Sequence, residues 1–140
     1  MEIKLLGPAE AHFLNNVAEE VFDDPIVKSA AREFLADPHH RIVVALDNDV
    51  VVGFVSAVIY LHPAKAAPEL WINEIGVAPT HQRRGIGKAL LQAMLDLARQ
   101  SGCTEAWILT ERDNRPAMAM YTSAGGAEAS PDPVMFTFKL

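Results

Sequence analysis

The stretch EIGVAPTHQRRGIGKALLQAM, residues 74–94, decides the fold because it carries the end of a strand, a turn and a helix. The apolar run at residues 70–77 predicts the strand, and apolar residues at helical spacing predict a helix over residues 84–100. A second strand-like run follows at residues 106–110. A strand, a helix and another strand in this order predict a right-handed parallel crossover.

The rest of the chain completes an α/β (α+β) domain. A short strand is expected at residues 3–6, followed by two helices, the second of which opens at Pro25. Two Val- and Ile-rich runs, at 41–46 and 50–60, flank turn-forming residues and predict a hairpin. The first helix is indicated by apolar residues at helical spacing, namely Phe13, Leu14, Val17 and Val21.

A helix from Pro116 and a final alternating strand at residues 134–140 end the chain. The predicted order is therefore β-α-α-β-β-β-α-β-α-β, a mixed sheet with helices packed on it. With 140 residues, the sequence predicts a single domain over residues 1–140.

Composition limits the classes of function. The net charge of −6 argues against nucleic-acid binding, which needs an excess of Lys and Arg. No apolar run approaches the roughly 20 residues that span a bilayer. The chain shows no signal-peptide pattern, and its single cysteine, Cys103, cannot form an internal disulfide, so a cytoplasmic protein is expected. The five histidines never fall at ligand spacing with Cys or carboxylates, so no metal site is expected.

The turn before the long helix allows two interpretations. The N-terminus of a helix binds phosphate groups, Gly85 and Gly87 let a ligand approach the backbone, and Arg83 and Arg84 add positive charge. Alternatively, the glycines serve turn geometry and the arginines are solvated. The two common nucleotide motifs do not fit, because the sequence lacks both the GxxxxGK[ST] spacing and the third glycine of GxGxxG.

The same residues resemble the GCN5-related N-acetyltransferases (GNAT). Gln82, Gly85 and Gly87 match the family pattern Gln/Arg-x-x-Gly-x-Gly/Ala after a central strand, and the predicted order of elements agrees along the chain. A second family feature follows at Asn114, Pro116, Ala117, Tyr121 and Gly125. The resemblance implies helices on both faces of a mostly antiparallel sheet, a splayed central pair of parallel strands, and acetyl-CoA as the cofactor.

Within the family, the chain is most similar to the short aminoglycoside 3-N-acetyltransferases of the gentamicin and fortimicin type. The likeness includes the acidic residue of Asn73-Glu74-Ile75 and the segment 117–122. Those enzymes carry aspartate where this chain has Glu74, and their helix-opening loop differs from residues 78–80.

The resemblance implies the residues that hold the cofactor. Residues of the turn hold its pyrophosphate, residues of the central strand lie along its pantetheine arm, and two residues of the later helix complete the site. The residues of the turn are Gln82, Arg83, Arg84, Gly85, Ile86, Gly87 and Lys88. Those of the central strand are Ile75, Gly76 and Val77, and those of the later helix are Asn114 and Ala117. Ile75 and Val77 are expected to pair their backbone with the amides of the arm.

The transfer needs a base for the amine and an acid for the leaving thiolate. Glu74 is the expected general base, directly or through water, with Glu111 and Asp113 as rivals. Tyr121 is the expected acid. Three of the residues named so far also have a plainer interpretation. Glu74 can be a charge at the rim of the sheet, Tyr121 a core residue, and Asn114 a helix cap.

The acceptor is expected to be a small polycationic amine such as an aminoglycoside. Its binding is expected to involve four carboxylates besides Glu74: Asp23, Asp24, Glu111 and Asp113. A protein or peptide amine and a non-catalytic acyl-CoA sensor are the alternatives. Trp71 and Trp107 are expected in the core or as walls of the acceptor pocket. A homodimer is expected because the final strand lies at an edge of the sheet and because of the likeness to the family.

Overall fold

The sheet is built on the hairpin that the sequence predicts. In the computed structural model, which describes residues 1–129 and 132–140, strands β2 (His40–Asp47) and β3 (Val50–Tyr60) pair antiparallel. Asn48 and Asp49 between them both adopt left-handed backbone, with φ of 49° and 64°. Two consecutive residues with positive φ make the tight turn whose twist matches that of a hairpin.

Three further strands complete a five-stranded sheet in the order β1-β2-β3-β4-β5. Strand β1 (Glu2–Leu5) pairs antiparallel with β2, and β4 (Glu69–Val77) pairs antiparallel with β3. Strand β5 (Glu105–Ile108) runs parallel to β4, as the crossover predicts.

Helices cover the sheet. Their bounds are α1 Lys28–Ala36, α2 Ile86–Gln100 and α3 Arg115–Ser123, with 3-10 helices at Pro8–Asn15 and Pro79–His81. Leu90 and Met94 of α2 and Leu70 of β4 are fully buried, as the apolar stripe of α2 predicts. The predicted fold class, an α/β domain with a mixed sheet and helices on both faces, is confirmed.

The central parallel pair is splayed, as expected from the resemblance. The β4–β5 register ends where Ile72 faces Ile108, whereas β4 continues to Val77 alongside β3. A bulge lies at the point of separation: Ile72 faces Ala57 and Glu74 faces Ser56, so Asn73 is one extra residue in β4. A bulge bends its strand and increases the local twist, which agrees with β4 leaving β5 here.

The first predicted helix is wrong beyond Asn15. The chain forms only the 3-10 helix and then pairs with β3: the Ala18 N–H donates to the Val51 carbonyl, and the Val51 N–H donates to the Asn16 carbonyl, both at 2.9 Å. Val17 forms an isolated parallel bridge with Val51. The apolar spacing therefore reflects side chains that pack on the sheet while the backbone bonds to a strand. The next helix begins at Lys28, three residues after Pro25.

The predicted final strand is also wrong. Within the described residues 132–140 the chain forms no strand, and Phe136 and Phe138 are 79% and 84% exposed. Alternating apolar residues supply strand propensity, but a strand also needs a partner, and β5 offers an edge of only four residues. The homodimer expected from an edge strand here stays a prediction.

Candidate active site

The bulge at Asn73 sets which side chains share a face of the sheet. In a regular strand Trp71 and Glu74, three positions apart, point to opposite faces. The extra residue brings them to the same face, where Trp71 faces Val58 and Glu74 faces Ser56 on β3. These partners are two residues apart, so the two side chains are neighbours about 7 Å apart along the sheet.

An N-terminal segment lies directly over this face. The Phe22 ring stacks on the Phe54 ring with centroids 4.0 Å apart. A Cβ on Gly76 would lie 2.5 Å from the Val21 carbonyl oxygen, so the segment rests on a position where only glycine fits. This contact brings Asp23, two residues after Val21, to Glu74.

Glu74 is half-buried beside this second carboxylate. Burial raises the pKa of the Glu74 carboxyl, and the charge of Asp23 raises it further. A carboxylate with a raised pKa is a stronger base than one in water. The geometry therefore suits the role expected for Glu74.

The predicted acidic residues fall into two groups. Asp23 and Asp24 line an open cavity of about 560 Å³ whose lining residues all lie between positions 14 and 28. Glu111 and Asp113 lie exposed in the loop between β5 and α3 and do not line this cavity. The structure thus places Asp23 beside Glu74 and Asp24 in the adjoining cavity, whereas the other two belong to a different loop.

Beyond the bulge, β4 presents backbone groups on the side that β5 has left. The Ala78 N–H donates to the Val52 carbonyl of β3 at 2.8 Å. Along an antiparallel pair, the N–H and C=O groups of successive residues point alternately toward the partner strand and away from it. Since those of Ala78 point toward β3, those of Ile75 and Val77 point away from it. The Gln82 side-chain amide donates to the Val77 carbonyl at 3.1 Å. The other groups of this open edge, the N–H and C=O of Ile75 and the N–H of Val77, fit the amides of an extended pantetheine arm.

The turn before α2 fits a pyrophosphate. Arg83 and Gly85 both adopt left-handed backbone, with φ of 62° and 77°, and nothing lies within 4 Å of a Cβ built on Gly85. The first bond of the helix runs from the Ala89 N–H to the Gly85 carbonyl. The N–H groups of residues 86–88 therefore point out of the helix end, which carries partial positive charge. Exposed Arg83 and Arg84 add full charges there.

A histidine anchors this turn, which the sequence did not indicate. His81 Nε2 lies 2.8 Å from Asp47 Oδ2 at the end of β2. The hydrogen bond with His81 is the largest cause that lowers the pKa of the Asp47 carboxyl. The pair ties the start of the turn to the sheet, and the spacing of 34 residues gave no local signal for it.

Helix α3 lies beside the start of α2. A Cβ on Gly87 would lie 3.0 Å from the Met120 sulfur. Asn114 caps α3, since its Oδ1 accepts a hydrogen bond from the Ala117 N–H at 3.3 Å. Tyr121, on the same helix, is half-buried, and burial raises the pKa of its hydroxyl. Its proton is therefore present at neutral pH, as an acid requires.

Three aromatic side chains form an aromatic shelf, Tyr60, Trp71 and Trp107, on the face that carries Glu74. The two indoles stack with centroids 5.5 Å apart and planes 15° apart. The Trp107 indole N–H donates to the Tyr60 hydroxyl oxygen at 2.6 Å. Trp107 is 36% exposed, so the expectation of a core position is wrong for it and that of a pocket wall remains.

Two features of the described residues concern other classes of function. No three His, Cys, Asp or Glu side chains there come together as a metal site. None of the helices in the described part of the chain is both long and apolar enough to span a membrane.

The model of the Acetyltransferase (GNAT) family matches residues 11–125, which include the strand, the turn and both helices described above. The chain belongs to this family. It is an acetyl-CoA-dependent N-acetyltransferase. The open edge of β4 and the turn at residues 82–88 are the parts that fit this cofactor.

Relatives and solved structures agree with the assignment. The chain is 35% identical to an N-alpha-acetyltransferase RimI of Mycobacterium tuberculosis over 88% of its length and 76% of that relative's. It spans only 31% and 51% of two further acetyltransferases. The fold is similar to that of an aminoglycoside acetyltransferase from an uncultured soil sample, solved with sisomicin (TM-score 0.82, 20% identity, 99% and 96% of the two chains). It is also similar to an aminoglycoside N-acetyltransferase solved with CoA (TM-score 0.76, 21% identity, 99% and 93%).

Proposed function

We propose that this GNAT enzyme acetylates a primary amine of a small polycationic acceptor, such as an aminoglycoside or a polyamine. The observation that carries the proposal is the proximity of two carboxylates: half-buried Glu74 on β4, and exposed Asp23 in the N-terminal segment that rests on Gly76 of the same strand. Asp24 lies in the adjoining cavity, and the net charge of −6 favours a cation over the whole surface.

Each protein group has a defined task in the transfer. Acetyl-CoA supplies the activated acetyl thioester. Glu74 accepts a proton from the acceptor ammonium, which has a pKa near ~10 and is mostly protonated at neutral pH. Tyr121 donates the proton that the leaving sulfur takes up. The backbone N–H groups of Ile75 and Val77, on the open edge of β4, are placed to hold the cofactor arm and polarise the acyl oxygen.

Replacement of the expected acid gives a first prediction. Tyr121→Phe removes the hydroxyl and leaves the ring, so kcat is expected to fall at least about tenfold, or ~1.4 kcal/mol in the barrier. The dissociation constant for acetyl-CoA is expected to stay unchanged. Steady-state kinetics and calorimetric titration measure the two quantities. Ser123→Ala, which removes an exposed hydroxyl from the same helix, is the control. Unchanged kcat in Tyr121→Phe removes Tyr121 from the mechanism.

A panel of amines with acetyl-CoA tests the proposed acceptor class. Thiol release is measured with aminoglycosides, polyamines, simple monoamines and peptides with a free N-terminus. Polycations are expected to give the highest kcat/KM, and added salt is expected to reduce it because exposed charges are screened. If no polycation raises the rate above the hydrolysis of acetyl-CoA alone, the proposal fails.

A peptide N-terminus is the second candidate. It is favoured by the RimI relative, which is more similar in sequence than the solved aminoglycoside enzymes are. In the same panel, acetylation of peptides with little rate for free polyamines would select this candidate. Glu74 serves as the base for either acceptor, so the panel separates the two candidate functions by the acceptor that is acetylated.

A further inference from the structure

The aromatic shelf lies next to the expected base, and its Trp107 is 36% exposed. Trp71 and Glu74 are neighbours on one face, about 7 Å apart, and Trp107 extends the indole surface across to β5. The stack and the bond to Tyr60 hold both indoles in fixed orientations. Rigid aromatic rings at this distance from a reacting amine are placed to touch the rest of the acceptor.

The charges around the shelf favour a cation as its occupant. Glu74 and Asp23 lie at one end. At the other end, Lys65 lies 2.8 Å from Glu69, and the carboxylates of Glu69 and Glu105 both raise the pKa of its ammonium. That end therefore holds two carboxylates to one ammonium. The indole faces that the Trp71–Trp107 stack leaves uncovered attract cations through their quadrupole.

We infer that the aromatic shelf binds the second cationic group of the acceptor, which lies over an indole face while the reacting amine sits at Glu74. The inference rests on the proposed function and adds a specificity subsite to it. The spacing of about 7 Å between Trp71 and Glu74 suits two ammonium groups joined by a short linker. A monoamine has nothing to place on the shelf and loses this contact.

A matched pair of acceptors, 1,4-diaminobutane and 1-aminobutane, tests the inference. Trp107→Leu keeps an apolar side chain and removes the aromatic face. We expect its KM for the diamine to rise about tenfold and its KM for the monoamine to rise by a clearly smaller factor, so that the ratio of the two kcat/KM values falls. Trp107→Phe restores a smaller aromatic face and is expected to recover part of the loss. Equal effects on the two amines, or no effect on the diamine, would overturn the inference.

Binding provides a readout that does not depend on turnover. The chain contains two tryptophans, and both belong to the shelf. Titration of the CoA-saturated protein with the diamine is expected to change tryptophan emission saturably, whereas the monoamine leaves it nearly unchanged. Emission that does not respond to a diamine acceptor overturns the inference even if the amine panel succeeds. If every polycation in the amine panel fails, the proposed function is overturned instead. If the tryptophan emission responds to an apolar peptide alone, the inference is overturned and the shelf is assigned to a peptide side chain.

Discussion

Glu74→Gln is expected to lower kcat at least about 100-fold at neutral pH, the scale of a general base in the transition state. The amide has nearly the shape of the carboxylate but does not accept the proton of the amine. Steady-state kinetics with a saturating acceptor measure the effect, and the KM for acetyl-CoA is expected to stay unchanged. A larger loss in Glu111→Gln or Asp113→Asn would assign the base to the loop after β5.

Glu74→Gln is not expected to lower the melting temperature. The pKa of Glu74 is raised in the folded chain, so its contribution to stability is complete below its unfolded pKa and is lost as pH rises through the folded value. The ionised side chain therefore opposes folding at neutral pH, and a neutral amide removes that effect. A loss of activity together with an equal or higher melting temperature separates catalysis from unfolding.

The pH dependence of kcat/KM, which reports groups of the free enzyme, gives the matching control. Glu74 acts as a base only when ionised, so the acidic limb of the profile follows its raised pKa. Asp23→Asn removes the neighbouring charge and is expected to move this limb to lower pH, while Glu74→Gln abolishes it. A limb that stays in place in Asp23→Asn shows that another group controls it.

Gly76→Ala is expected to have the second large effect, on stability and on the acceptor together. The added Cβ would lie 2.5 Å from the Val21 carbonyl and 2.8 Å from a Phe54 ring carbon. The backbone carbonyl cannot move aside as the end of a flexible side chain can. We therefore expect the free energy of unfolding to fall by about 1–3 kcal/mol. The melting temperature is expected to fall by roughly 5 °C or more. The KM of the acceptor is expected to rise as Asp23 moves away from Glu74.

Gly87→Ala is the matched control. Its Cβ meets the Met120 sulfur at 3.0 Å, the far part of a flexible side chain that adapts to added volume. We expect Gly87→Ala to lower the free energy of unfolding by less than about 1 kcal/mol, which agrees with a family pattern that allows alanine at this position. Thermal unfolding of the two variants, measured side by side, compares their loss of stability. Equal destabilisation would contradict the contact of Gly76 with the N-terminal segment.

The sequence predicted the parts of the fold that local chemistry controls. Asn48 and Asp49 favour a tight turn, and the stripe of α2 buries Leu90 and Met94, as their spacing requires. Gly85 stands where the chain needs a positive φ before the helix. These features depend on neighbours in sequence, which is why a single sequence shows them.

The features that sequence reasoning missed depend on distant parts of the chain. Whether Asn73 bulges is decided by how β4 aligns with β3, and without the bulge Trp71 and Glu74 would lie on opposite faces. Val17 and Val21 match a helical spacing, yet the segment bonds to Val51. The apolar alternation of residues 134–140 predicted a strand that has no partner in the described chain.

The bulge at Asn73 has a consequence for how such an enzyme diversifies. Past it, the backbone groups of Ile75 and Val77 point to the edge that fits the cofactor, while the Glu74 side chain lies on the face of the sheet that also carries Trp71. Under the proposed function, substitutions at Trp71, Trp107 or the segment around Asp23 change the preferred acceptor and leave the groups that fit acetyl-CoA in place. In this arrangement a change of acceptor requires no change in the strand edge that fits the cofactor, and similar proteins carry different acceptors in their names, as the N-alpha-acetyltransferase and the aminoglycoside acetyltransferase do.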